Sequence, residues 1–148
     1  MKNYIFSVFF TFIVSLNVAV AKECSGEING TDMMQYDSGT ITVGADCTSF
    51  ELTLNHTGTL AKNVMGHNVV VVAADKFSET VGLISMSESL DAGYLPESDL
   101  VLAKTPMIGG GESVKIKLDL AKFSKGGDYT FFCSFPGHYA IMRGKLVI

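Results

Sequence analysis

Tryptophan is absent from this chain of 148 residues, so indole fluorescence is not available as a probe of its fold. Charge is sparse as well: 18% of residues are charged, eleven basic against fifteen acidic, for a formal net charge of −4. No run of Lys or Arg is dense enough to track a phosphate backbone, which argues against nucleic acid as a partner. With 47% hydrophobic residues, ten Phe and five Tyr, the chain also lacks the composition of a disordered tail or an acidic activation segment. Internal repeats, low-complexity tracts and long linkers are missing, and the length suits one domain. Gly109-Gly110-Gly111 lacks the Lys-Ser/Thr that completes a phosphate loop, so it reads as a turn and not as a nucleotide site.

The long apolar run is confined to the N-terminus. Lys2 precedes a mostly apolar stretch from Tyr4 to Val18, and Ala19-Val20-Ala21 has the small-residue spacing that a signal peptidase cuts. Residues 1–21 therefore read as a cleaved secretory signal rather than a retained anchor, with 22–148 as the exported domain. Cleavage leaves no membrane span and enough chain to bury a core. Losing Lys2 makes the product one unit more negative than the full chain.

Cysteine is scarce: Cys24, Cys47 and Cys133 all lie in the mature part. An oxidising compartment favours disulfides, and an odd count leaves one pair and one thiol kept for another purpose. Cys24 and Cys47, both in the N-terminal third near expected strand ends, are the favoured pair. Cys133 then needs its own explanation.

What is present is mostly strand signal. Alternating or β-branched stretches recur at 40–43, 49–55, 68–73, 113–118, 129–133 and 145–148, separated by Gly, Asn, Asp and Ser clusters. This pattern predicts an all-β antiparallel sandwich or Greek-key barrel. The exception is 73–90, where Phe77, Val81 and Ile84 recur at helical spacing and predict one short helical insertion outside the sandwich. Two Asn-x-Thr matches, at Asn29 and Asn55, are common by chance and carry no weight.

The chemistry is concentrated in Cys133-Ser134-Phe135-Pro136-Gly137-His138, with Met142 four residues on. Pro136-Gly137 predicts a turn that brings His138 back toward Cys133. A second imidazole, His67, stands just before the apolar run 69–72, and its loop could share one end of the sandwich with the C-terminal loop. Two imidazoles, a thiolate and a weak thioether match a blue-copper electron-transfer site. Zinc gains little from a thioether, and calcium and magnesium want oxygen donors. Taken singly, Cys133 could be a core hydrophobe, Met142 a core filler, and each histidine a hydrogen-bonded bystander. Two other functions use the same residues: copper storage or delivery, and a Cys–His enzyme with Cys133 as nucleophile. The enzyme is disfavoured, because no Asp, Asn or Glu between Cys133 and Met142 could orient the base.

Asn63-Val64-Met65-Gly66-His67-Asn68 and Phe131-Phe132-Cys133-Ser134-Phe135-Pro136-Gly137-His138, followed by Met142, closely resemble the azurin family of bacterial periplasmic blue-copper proteins. The resemblance extends through Glu23-Cys24-Ser25 and Ile41-Thr42-Val43 and covers essentially all of 22–148. It implies a cupredoxin-like fold, one copper per chain, no enzymatic activity, and a periplasmic monomer. It implies redox partners such as a c-type cytochrome, a nitrite reductase or an amine dehydrogenase. By similarity, His67, Cys133 and His138 are the strong ligands, with Met142 and the backbone oxygen of Gly66 as distant axial ones. Asn68 and the amide of Phe135 would hydrogen-bond the ligand sulfur. Cys24 and Cys47 match the family's disulfide, and His56 a buried histidine near the metal that does not ligate it. Met34, Leu60, Val64, Met65, Phe135, Pro136 and Ala140 would form an apolar docking patch around an exposed edge of His138. Val69 stands where family members can carry a buried tryptophan, which implies local repacking of the core.

Overall fold

Residues that alternate between β-branched or aromatic and polar types form strands here, in a computed structural model that describes residues 22–148. The signal-peptide reading of 1–21 falls outside the described residues. The strands are β1 (Lys22–Thr31), β2 (Gln35–Tyr36), β3 (Thr40–Thr42), β4 (Cys47–His56), β5 (Val70–Ala73), β6 (Ala103–Lys104), β7 (Ser113–Leu118), β8 (Tyr129–Phe132) and β9 (Arg143–Val147). They make two sheets, ordered β2-β1-β4-β7 and β3-β9-β8-β5-β6. The all-β sandwich is therefore present, but two of its pairings, β1 with β4 and β3 with β9, are parallel. That corrects the purely antiparallel expectation. Alternation reports which face a residue occupies and says nothing about the direction of the neighbouring strand.

β4 shows the alternation cleanly, with Phe50, Leu52, Leu54 and His56 turned inward. β1 was absent from the expected strands because its sequence is polar; only Ile28 and Gly30 are buried along it. Backbone pairing to β4, from Glu23 opposite Ser49 to Gly30 opposite His56, holds it in place. A disulfide joins Cys24 to Cys47, tying the start of β1 to the start of β4 as expected, and leaves Cys133 as a buried free thiol. Asn29 and Asn55 pair through their side chains at 2.9 Å, and Asn29 donates to Asp37 at 2.7 Å, so both are structural.

The space between the sheets is filled by Ile28, Leu52, Leu54, Val69, Val71, Phe131 and Leu146, among others. Val69 is fully buried in the same cluster as Phe131, against which Tyr36 packs edge-on at 5.4 Å. Strand β5 is apolar on both faces. Val70 and Val72, with Phe132, form a second cluster outside the sheet, covered by Phe77, Val81 and Ile84. Phe77 and Val81 belong to the helical insertion, which is shorter than its periodicity suggested, a 3-10 turn (Ala74–Lys76) running into α2 (Phe77–Val81), and Ile84 lies just beyond it. A four-residue helix, α1 (Lys62–Met65), was not expected; one turn is too short to show a period. No described helix is long and apolar enough to cross a membrane.

Candidate metal centre

Three local devices converge at one end of the sandwich. Cys133 directly follows β8, and its N–H donates to the carbonyl of Met142 at 3.0 Å, so the ladder toward β9 sets these two side by side. Gly137 adopts φ 86, a left-handed conformation that costs glycine little. The chain therefore reverses there, and the His138 N–H closes onto the Phe135 carbonyl at 2.9 Å. His67, between α1 and β5, exchanges two backbone hydrogen bonds with Ile108 at 2.9 and 2.8 Å. Gly30 lets β1 pass directly under its ring, since an added Cβ would lie 2.6 Å from His67 Cδ2.

These devices bring His67, Cys133 and His138 together. Cys133 Sγ lies 3.6 Å from His138 Nδ1, 4.0 Å from His67 Nδ1 and 3.7 Å from the Gly66 carbonyl oxygen. A first-row ion with bonds of about 2.0 Å to nitrogen and 2.3 Å to sulfur, at about 120°, needs sulfur and nitrogen about 3.7 Å apart. The donors are already at that spacing. His67 Nε2 donates to the Thr31 carbonyl at 2.8 Å, which leaves the Nδ1 lone pair for a metal. Cys133, His67 and Met142 are wholly buried, and His138 is 3% exposed. His138 Nε2 has no protein partner among the described residues, and no buried side-chain nitrogen or oxygen among them lacks one. That nitrogen therefore reaches solvent, and the exposed ring edge anticipated from the sequence is a narrow one.

Burial sets the charge of this pocket. The Cys133 thiol is pushed up to about 12 by loss of solvent, only partly offset by the amides of Asn68 and Phe135 facing the sulfur. His138 is pulled down to about 4 by burial first, then by repulsion from His67 and His56. His67 is lowered by burial as well. At neutral pH the pocket thus holds two neutral imidazoles with free lone pairs and one thiol whose proton a cation must displace.

The sequence profile described as "Copper binding proteins, plastocyanin/azurin family" matches residues 22–148. The chain belongs to the plastocyanin/azurin family. It is 49% identical over 129 residues to the azurin of Bordetella pertussis, covering 86% of this chain and 85% of that protein. To the azurin of Pseudomonas aeruginosa PAO1 it is 42% identical over 132 residues, 87% of each. Among solved structures, azurin Az-iso2 of the methylotroph Methylomonas sp. strain J superposes with a TM-score of 0.77 at 34% identity. The match covers 84% of this chain and 96% of that one. Copper is thus the cofactor, and the fold is the cupredoxin sandwich.

Within this plastocyanin/azurin-family site, His56 behaves as a scaffold. It is buried and stacks on His67 with centroids 4.3 Å apart. The Gly58 N–H donates to its Nδ1 at 3.1 Å, so Nε2 carries the proton and donates to the Met65 carbonyl at 2.7 Å. Both ring nitrogens are used, and none is left for a metal. Asn68 does more than point an amide at the sulfur. Its side chain accepts from the Ser134 N–H at 2.9 Å and donates to Ser134 Oγ at 2.8 Å, while that hydroxyl donates to the Gly93 carbonyl at 2.6 Å. Ser134, Gly93 and Thr31 were not singled out in the sequence. Of these, only Ser134, next to Cys133, carried a positional hint.

The residues expected in the apolar patch divide into two groups. Met34, Leu60, Val64 and Ala140 are exposed, while Met65, Phe135 and Pro136 are half-buried. Asp32 draws the first two together: its carboxylate accepts the N–H groups of Thr59 at 2.8 Å and Leu60 at 3.2 Å, linking that loop to the turn that carries Met34. Val64 and Met65 sit on α1, immediately before Gly66 and His67. Ile141, also exposed and on the His138 loop, was missed although it follows Ala140 directly.

Proposed function

We propose that this chain is a periplasmic carrier of single electrons between respiratory redox proteins, with His67, Cys133 and His138 as the strong copper ligands and Met142 and the Gly66 carbonyl as weak axial ones. The observation that carries this reading is the donor spacing of 3.6 and 4.0 Å around a wholly buried sulfur. Copper held by this donor set supplies a one-electron couple. The protein's part is to keep the donors still. His67 is locked by Thr31 and Ile108, Cys133 by the ladder to Met142, and His138 by its turn, so little reorganisation accompanies a change of charge.

Burial of every strong donor leaves no route for a substrate to the metal and shields the sulfur from acting as a nucleophile. It also favours a fixed ion over the exchangeable one that storage or delivery needs. Electrons would pass at the solvent-facing edge of His138, within an apolar surface that includes Met34, Leu60, Val64, Met65, Pro136 and Ala140. Such surfaces dock partners by shape and desolvation. A c-type cytochrome, a nitrite reductase or an amine dehydrogenase would fit as partner. Export rests on the signal-like pattern of residues 1–21.

The test is the visible spectrum of the mature domain with Cu(II), beside Cys133→Ala. An intense band that is lost in the variant and bleached reversibly by a reductant is expected. No band, or rapid loss of the metal to a chelator, would overturn the carrier reading, the latter in favour of delivery.

A further inference from the structure

We infer that Tyr36 and Thr105 clamp the Asn68–Val69 peptide from opposite sides and so aim the Asn68 amide at the Cys133 sulfur, which makes Tyr36 a positioning residue for the metal centre. This rests on the carrier reading above. The argument begins with the two planar peptides that flank Asn68. Together they carry four polar groups. The His67 carbonyl accepts from the Ile108 N–H at 2.8 Å, and the Val69 N–H donates to Thr105 Oγ1 at 2.9 Å. The Asn68 carbonyl accepts from the Tyr36 hydroxyl. The fourth group, the Asn68 N–H, faces Cys133 Sγ. With three groups tied to the protein, both planes are held, and the direction of the fourth follows from them.

Tyr36 is the tie that crosses from one sheet to the other. It sits on β2 in the first sheet, and the peptide it holds leads into β5 of the second. Its ring is fixed edge-on against Phe131 at 5.4 Å, so the hydroxyl cannot swing away without breaking core packing. Burial raises its phenol well above the usual tyrosine value, so it stays a donor at any working pH. Thr105 is almost wholly buried, and its backbone N–H pairs with the Val69 carbonyl at 2.9 Å, which fixes the opposite jaw. An N–H pointed at a thiolate disperses its charge and favours the reduced metal. Loosening the clamp therefore shifts the couple toward the oxidised form.

Tyr36→Phe keeps the ring and removes only the hydroxyl, leaving the Asn68 carbonyl buried without its partner. Thr105→Val removes the other jaw at nearly constant shape. Two readouts are compared with the unaltered protein: the reduction potential of the copper-loaded form, and hydrogen exchange of the Asn68 amide in the metal-free form by NMR. The expected result is a lower potential in both variants and Asn68 exchange at least tenfold faster, with the Leu52 amide in β4 unchanged. An unchanged potential and unchanged Asn68 exchange would overturn the clamp, even if global stability fell. Should the unaltered protein give no copper band, the carrier reading fails by itself, and exchange in the metal-free form still decides whether the clamp exists.

Discussion

Loading the metal-free protein with Cu(II) at pH 5 should release no more than about two protons per ion. At that pH, His138, pulled down to about 4, is only about one-tenth protonated. His67 is shifted in the same direction. Cys133, pushed up to about 12, is wholly protonated and must give up its proton to become a thiolate ligand. Exposed groups of the same kinds would behave differently. Two imidazoles near 6.5 would both be charged at pH 5, and binding would release about three protons. The apparent affinity should accordingly rise by no more than about a hundredfold per pH unit near pH 5, against about a thousandfold for the exposed set. At pH 8 both cases give one proton, so the acid value discriminates.

A pH-stat titration of unbuffered protein measures the release directly, and Zn(II) serves as a redox-silent comparison. Release near three would show that burial does not hold the imidazoles neutral. Release near zero would mean a preformed thiolate, and either result refutes the reasoning. The same shifts set the acid stability of the metal-free form. Imidazoles whose folded pKa lies below the unfolded value of about 6.5 leave the unfolded chain binding more protons. For His138 that contribution is complete above about 6.5 and is lost as pH falls toward about 4. The thiol acts on the other side. Its folded pKa is raised, so its contribution is complete below about 8.5 and is lost as pH rises toward about 12. Urea melts across pH should therefore show greatest stability between these limits.

Three further outcomes follow from the packing. Gly30→Ala places a Cβ 2.6 Å from His67 Cδ2 and 3.1 Å from Cγ, and should cost about 1–3 kcal/mol in urea unfolding while moving the copper absorption band. An unmoved band would mean that the strand, not the ring, gives way. Removing the disulfide by paired Cys24→Ser and Cys47→Ser should lower the unfolding free energy by about 3 kcal/mol, with the copper spectrum intact. Val64→Asp, at a side chain of an exposed residue (56%), should leave the spectrum unchanged and slow electron exchange with a c-type cytochrome in stopped-flow. Equal rates would remove Val64 from the docking surface.

The candidate cluster was legible in the sequence because ligand chemistry is a property of side-chain type, and Cys133 and His138 lie within six residues on one turn. The fold class was legible because β4, β5, β7 and β8 each carry a period-two or continuous apolar signal. β1 escaped because its partner is backbone, not core. The parallel pairings escaped because periodicity is blind to direction. The Asn68–Ser134–Gly93 network and the Tyr36 hydroxyl escaped because their partners are backbone or polar groups far away in sequence. By itself, then, the sequence determined which atoms can meet a metal and on what kind of scaffold. Only the tertiary structure decided that His67 and Cys133, 66 residues apart, come within 4.0 Å. It also decided that the pocket is dry enough to keep the imidazoles neutral and the thiol protonated. Distance and local dielectric arise when sheets pack, and no single segment of the chain contains either.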